Sequence, residues 1–411
     1  MTVRPDMPIG ERIAYWRQRR GLTQRVLADL VGRSESWLSQ VERGIRSVDR
    51  MSVMLDLASV LHVKVTDLTG QPLSLAPNGG VDFDPVADIR HALLPYDVIV
   101  SSIRATGADS EEPPNLDVLR SDTAAAWDRW EASRYVELGG DLPDLMARAK
   151  TAARALSGDE QRAAWALLAN VYNITSATLH KVDEHELAWI ASDRAMAAAE
   201  RAESLPLIGA STWWLAHVFL RSGRIEEATD LLKTGIDALE PDLGHAGPAH
   251  LSVWGAMLLT SAITAAERND RTDAWAYVRE ARKAADRLGR DGNYLATAFG
   301  PTNVALRTVA VPVELGDAGE ALQVARTIDP SPLAPNLLER RAMFHIDVAR
   351  AYGQRRNDAA AVATLLEAER IAPEEIHYHV VVRELLRELL KRERRTATPG
   401  LRPLAQRVGV L

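Results

Sequence analysis

Histidines are the first residues to consider for chemistry, because imidazole ligates metals and moves protons near neutral pH. His180 and His185 are five residues apart, and His377 and His379 are two apart on a stretch that reads as helix. Neither spacing puts both rings on one helix face, so neither pair is a metal site. No Gly-x-Ser-x-Gly, His-Glu-x-x-His or phosphate-loop pattern occurs. The chain contains no cysteine, which excludes disulfides, thiolate nucleophiles and cysteine-ligated zinc. Glu111-Glu112, followed by Pro113-Pro114, reads as a solvated acidic turn. The expectation is a protein that is not an enzyme and uses no metal or cofactor.

What can be positioned is therefore recognition chemistry, and the elements that would carry it are helical. Of 411 residues, 46% are hydrophobic and 26% charged, a globular composition rich in alanine, leucine and arginine. That length suggests two or three domains. No run of about 18 apolar residues stands out, and the first residues lack the apolar core of a secretory signal. A cytoplasmic protein without a membrane partner is expected. The net charge of −7 is unevenly divided: residues 1–70 carry +3 and the rest −10. A basic head could approach phosphates that the acidic body would repel.

Within the head, Ile9 to Arg20 forms a first helix stopped by Gly21, with Ile13 and Trp16 on its apolar face. Thr23 is placed to cap a second helix that Gly32 ends, and Ser34 to cap a third, Glu35 to Arg43, that Gly44 ends. Two short helices joined by a tight turn make a helix-turn-helix. The stretch Leu22 to Gly44 resembles the XRE family of phage-repressor-like regulators, with Thr23, Gln24, Leu27, Ala28, Gly32, Ser34, Ser39, Glu42 and Gly44 in register. Arg33 and Trp37 depart from it, being larger or more polar than usual there; Trp37 reads as a packing or phosphate-edge residue. The resemblance extends over residues 9–70, through a helix from Arg50 to Leu61 and a turn at Val65 to Leu68, and implies a five-helix domain.

The resemblance also implies roles. Leu27, Ala28, Leu38 and Val41 are core, and Arg17 pairs with Glu42 to tie the first helix to the recognition helix. Glu35, Ser36 and Gln40 face the groove with Ser39 nearby. Glutamine can bond adenine bidentately and glutamate can accept from cytosine N4. Ser34 starts the recognition helix. Gln24 bonds a phosphate and braces that helix, while Arg43, Arg46 and Arg50 touch backbone or minor groove. Repressors of this type dimerise on a pseudo-palindromic operator, in half-sites about one turn apart.

Proline and glycine mark residues 71–85 as a linker. Over 86–411 small residues and turns recur: with 140, 183, 223, 269, 316 and 357 as anchors, the spacings are 43, 40, 46, 47 and 41. This resembles tetratricopeptide repeats, helical pairs of about 34 residues, lengthened by extra turns. The fold class expected is all-α, a repressor-like head followed by a tetratricopeptide-like α-solenoid, with Pro301 and Pro312 perturbing one unit. That layout is similar to actinobacterial regulators and to the Rgg/PlcR-type quorum-sensing group, whose solenoids bind a ligand on the concave side.

In such a unit the first helix lines the concave wall. Trp165 and Tyr172 match packing positions, leaving Asn170 and Asn173 to face the groove. Registering the next unit on Phe219 and Gly223 adds Trp213, His217 and Arg221, and later units add Asn303 and Arg350. Amides, an aromatic and cations suit an anionic or amphipathic ligand. Trp127, Trp130, Trp189, Trp254 and Trp275 read as interhelical packing, and the helix expected over Pro373 to Arg394 reads as a solenoid cap or part of a dimer face. The function expected is a homodimeric, sequence-specific DNA-binding transcription regulator sensing a peptide or small molecule. The alternative is an adaptor whose solenoid binds another protein, with DNA binding secondary.

Overall fold

Contacts in the computed structural model divide the chain into two units, Met1–Gly79 and Gly80–Leu411. The structure describes residues 7–44, 53, 57, 58, 60, 61, 63, 68, 83–93, 114–393 and 396–411. All regular structure among the described residues is helical.

In the head, α1 (Ile9–Arg19), α2 (Gln24–Leu30) and α3 (Glu35–Glu42) are delimited by local chemistry. The Thr23 and Ser34 hydroxyls each accept a backbone N–H at 3.2 Å, from Val26 and Trp37, satisfying a donor that the helix itself leaves unpaired. Gly32 and Gly44 take φ of 64° and 70°, where an L side chain is strained. Ile13, Leu27, Ala28, Leu38 and Val41 form one core with Val53, Leu57, Leu61 and Leu68, and Trp16 and Trp37 pack on its edge. At Gly10 the two helices come so close that a Cβ would sit 2.1 Å from the Val41 carbonyl oxygen.

The body opens with Phe83 buried in its core and α4 (Val86–Leu93). Six helical hairpins follow among the described residues. They are α5 (Leu116–Glu131) with α6 (Tyr135–Ala155), α7 (Gly158–Lys181) with α8 (His185–Arg201), and α9 (Leu205–Arg221) with α10 (Ile225–Leu239). Next come α11 (Pro248–Glu267) with α12 (Arg271–Leu288), the broken arm α13 (Pro301–Thr308) and α14 (Ala310–Glu314) with α15 (Ala318–Ala325), and α16 (Leu338–Gln354) with α17 (Asp358–Ile371). The break falls where Pro312 has no N–H for the Thr308 carbonyl.

One turn geometry joins every hairpin. The middle turn residue has positive φ: Ser133, Asp183, Gly223, Asn269, Gly316 and Arg356, between 54° and 80°. The next residue donates its N–H to a carbonyl five residues back, from Arg134 to Arg129 at 2.9 Å through to Asn357 to Tyr352 at 2.9 Å. This is the Schellman closure of a helix end. Four of the sequence anchors coincide with these residues. Gly140 does not: it lies inside α6, and the first turn is at Ser133.

α11 is long and apolar enough to cross a membrane, contrary to expectation, but 83% of its most apolar stretch is buried inside the body. It is a core helix. Gly255 on it faces the Phe299 ring, which would lie 2.0 Å from an added Cβ. The C-terminal segment is two helices rather than one, α18 (Pro373–Tyr378) and α19 (Val380–Lys391), parted at an extended His379. Leu385, Leu386 and Leu389 of α19 pack with Ile346, Leu365 and Leu404, so this segment, with α20 (Leu401–Arg407), closes the end of the repeat stack. Trp127, Trp130 and Trp254 are buried. Trp189 is not: 52% of it is exposed on the outer side of α8.

Candidate nucleic-acid interface and body cavity

The recognition helix of the head is held from behind by charge. Glu42, the last residue of α3, accepts from Arg17 Nε at 2.6 Å and Nη2 at 3.0 Å, and from Gln24 Nε2 at 2.6 Å. Arg17 also donates to the Leu22 carbonyl at 2.8 Å. The Arg17 and Glu42 side chains are only 11% and 6% exposed, so this is a buried, bidentate pair joining α1 to α3. Through Glu42, the Gln24 amide ties the start of α2 to the end of α3.

Opposite that brace, α3 presents Ser34, Glu35 and Ser36 exposed at its N-terminal end and Ser39 and Gln40 half-buried one turn later. Ser34 also caps the helix. Exposed Arg43 follows, its Nε on the Ser39 carbonyl at 3.2 Å. A helix N-terminus with free polar side chains and a trailing cation can meet base edges and phosphates together. Arg33, whose guanidinium lies 5.9 Å from the Trp37 ring centre, adds a cation that the motif did not signal. Arg46 and Arg50 lie outside the described residues.

The body holds a second site. A cavity of about 190 Å³ is lined from the first arms of all six hairpins and from α18 and α19. Trp213, His217, Arg221 and Arg350 line it. Trp213 donates Nε1 to Thr260 Oγ1 at 2.8 Å, and its ring meets His217 edge-on at 4.8 Å. Asn170, Asn173 and Asn303 do not line it. On α7 only the last turn, His180 and Lys181, reaches the cavity. Asn173 lies two turns earlier and donates to Ser211 at 3.1 Å between helices, while Asn170 bonds its own helix at the Ala166 carbonyl. Asn303 is buried, and its Oδ1 has no hydrogen-bond partner among the described residues.

Ion pairs that the sequence does not signal tie the first hairpins to the last. Lys181 Nζ lies 2.6 Å from Glu339 Oε1 and 2.8 Å from Glu375 Oε1. Glu375 also accepts from the Tyr135 hydroxyl, and Glu374 from the Val136 N–H at 3.0 Å. Against the upward push of burial, Arg340 and Lys181 hold Glu339 down to about 2. Burial pushes His217 down to about 3, with Arg307 adding to the effect, and holds His180 and His379 well below the usual imidazole range. All three rings are neutral at pH 7.

Glu131 behaves in the opposite way. Fully buried, it accepts from Asn293 Nδ2 at 3.2 Å through one oxygen and has no partner for the other among the described residues. Burial pushes it up to about 7 against the pull of Arg340. Its folded pKa thus exceeds its unfolded one. The folded state is favoured below pH 4.5 and loses on the order of 3 kcal/mol as pH rises to 7. Glu131→Gln is expected to exceed the parent in urea stability at pH 8 and to match it near pH 4; a gain independent of pH would contradict this assignment.

Residues 8–69 match the model of a family described as a helix-turn-helix domain. The head is therefore a helix-turn-helix domain, and the body behind it is a helical repeat domain. Among solved structures the chain is similar to Bacillus thuringiensis PlcR, crystallised with the peptide PapR7 and DNA. Identity is 13%, 85% of this chain and 98% of that one are covered, and the TM-score is 0.34. It is also similar to aspartyl phosphate phosphatase F from Bacillus subtilis, at 15% identity, with 90% and 95% covered and a TM-score of 0.43. No curated protein matches.

Proposed function

We propose that the chain is a sequence-specific DNA-binding transcription regulator, working in the cytoplasm as a homodimer on a pseudo-palindromic operator. The observation that carries this reading is the braced recognition helix. Arg17, Glu42 and Gln24 fix α3 from one side, while Glu35 and Ser36, with Gln40 one turn on, remain accessible on the other. A rigid helix with free amide and carboxylate groups is what base reading in a major groove requires. The family match over residues 8–69 supports the same reading. Gln40 takes an adenine, Glu35 a cytosine amino group, and Arg43 a phosphate. In the body, the cavity receives a peptide or small-molecule signal, and a ligand preferring one arrangement of the dimer shifts operator affinity.

The test is a mobility-shift series over a bound fragment and its single-base variants. Gln40→Ala is expected to cost about 1–3 kcal/mol at one base pair per half-site and to flatten preference there. Arg43→Ala weakens all fragments alike and reduces the salt slope by about one. If neither substitution alters DNA binding, α3 is not the reading helix.

A further inference from the structure

The cavity leaves two of its cations without partners. Lys181 is held by Glu339 and Glu375, Arg340 touches Glu339 at 3.2 Å, and Arg350 is held by Glu314 at 2.6 Å and Asp347 at 3.4 Å. Arg221, ending α9, and Arg307, on α13, line the same cavity. Among the described residues neither side chain makes a hydrogen bond or an ion pair. Their nearest acids are engaged elsewhere: Asp183 with His185 at 2.9 Å, and Asp347 with Arg350. Glu267, the one lining carboxylate outside these pairs, is exposed.

A guanidinium keeps its charge and offers five N–H donors. Enclosing it without acceptors is unfavourable, and burial indeed pushes the pKa of both arginines down. Both remain half-buried rather than sealed, so their donors are within reach of a molecule in the cavity. The rest of the wall includes Trp213, Leu220, Ile263 and Met343, an apolar surface for a hydrocarbon or aromatic part. Size narrows the class further. A cavity of about 190 Å³ exceeds the roughly 150 Å³ that admits benzene but falls below the range of about 300–1,000 Å³ for larger ligands.

We propose that this cavity binds a small organic anion, of about a dozen non-hydrogen atoms or fewer. Its carboxylate or phosphate is taken by one of the two unpaired guanidiniums, Arg221 or Arg307, and its apolar part lies against Trp213 and Ile263. The assignment rests on the reading of the body as a sensor and narrows its signal to a small anion rather than a peptide of several residues.

The full chain is titrated with benzoate, phenyl phosphate, benzamide and benzylamine, followed by melting temperature and tryptophan emission. Benzoate or phenyl phosphate is expected to raise the melting temperature and change the emission, and which of the two does so separates a carboxylate from a phosphate ligand. Benzamide and benzylamine should do neither. Arg221→Gln or Arg307→Gln, whichever removes the guanidinium that takes the anion, weakens anion binding at least tenfold, and lysine at that position recovers part of it. The free variants melt no lower than the parent, because each loses an unpaired buried charge. Neutral or cationic probes binding as tightly as the anions would overturn the proposal. So would an anion response intact in both variants, or none from either anion at millimolar concentration. Operator binding, measured alongside, separates this proposal from the broader reading. Anions that bind through either arginine without moving operator affinity remove the sensor role and leave the site. A benzamide effect on operator affinity keeps the sensor role and removes the anion.

Discussion

Lys181→Met is expected to lower the stability of the body by about 3–5 kcal/mol at pH 8, and by much less near pH 5. The methionine keeps most of the side chain's bulk beside Trp130, whose ring centre is 5.3 Å from the ammonium, so packing changes little. Charge changes a great deal. Glu339 retains Arg340 at 3.2 Å, but Glu375, 0% exposed, is left with the Tyr135 hydroxyl and a neutral His379 at 3.9 Å. In the parent, Glu339 at about 2 titrates below its ordinary 4.5. It contributes stability that is present above pH 4.5 and is lost as pH falls through 2. Removing the cation takes away one of the charges that hold Glu339 down. Its carboxyl then titrates higher than in the parent, and lowering the pH relieves the strain instead of causing it. Urea unfolding at the two pH values, followed by tryptophan fluorescence, reads the difference. An equal loss at both would mean that the network is not what joins the first hairpins to the last.

Arg17→Met should abolish DNA binding although Arg17 is not among the residues assigned to base reading. The substitution leaves Glu42, 6% exposed, with only the Gln24 amide. Breaking a buried pair in this way costs about 3–5 kcal/mol. A core the size of the head supplies roughly that much in total, so the head unfolds while the larger body stays intact. Circular dichroism should show a partial loss of helix, and limited proteolysis should release a resistant body fragment. The double substitution Arg17→Met with Glu42→Leu replaces the ion pair by apolar contact and should restore most of the folded head. A single variant that binds DNA like the parent would show that α3 is positioned by its hydrophobic contacts alone.

The head was legible because its determinants are local. Thr23 and Ser34 cap, Gly32 and Gly44 stop, and the distance in sequence from cap to helix is one residue. The Arg17–Glu42 pair spans 25 residues and was reachable only through the resemblance. In the body, turns built on Asp183, Gly223, Asn269 and Gly316 announced themselves by residue type. Ser133 and Arg356 adopt the same left-handed conformation without such a residue, so residue type points to Gly140 rather than to Ser133 for the first turn. Helical period brings Trp213, His217 and Arg221 to one wall, since residues three and four apart share a face, and the repeat register adds Arg350 from a later unit. Period says nothing of depth along a helix, and so Asn170 and Asn173, on α7 but too far from its end, lie away from the cavity. The Lys181 network was invisible for a different reason: its partners are 158 and 194 residues away, and no local pattern encodes such a pairing. Arg307 did leave a trace, a lone cation among Val304, Leu306 and Val309, all buried.

Selection of bound fragments from random DNA by the full-length chain tests the central claim most directly. Two inverted half-sites whose centres lie about one helical turn apart are expected to be enriched, with the enriched base opposite Gln40 lost when the selection is repeated with Gln40→Ala. Fragments enriched without any common sequence, or the same motif recovered unchanged by Gln40→Ala, would contradict it.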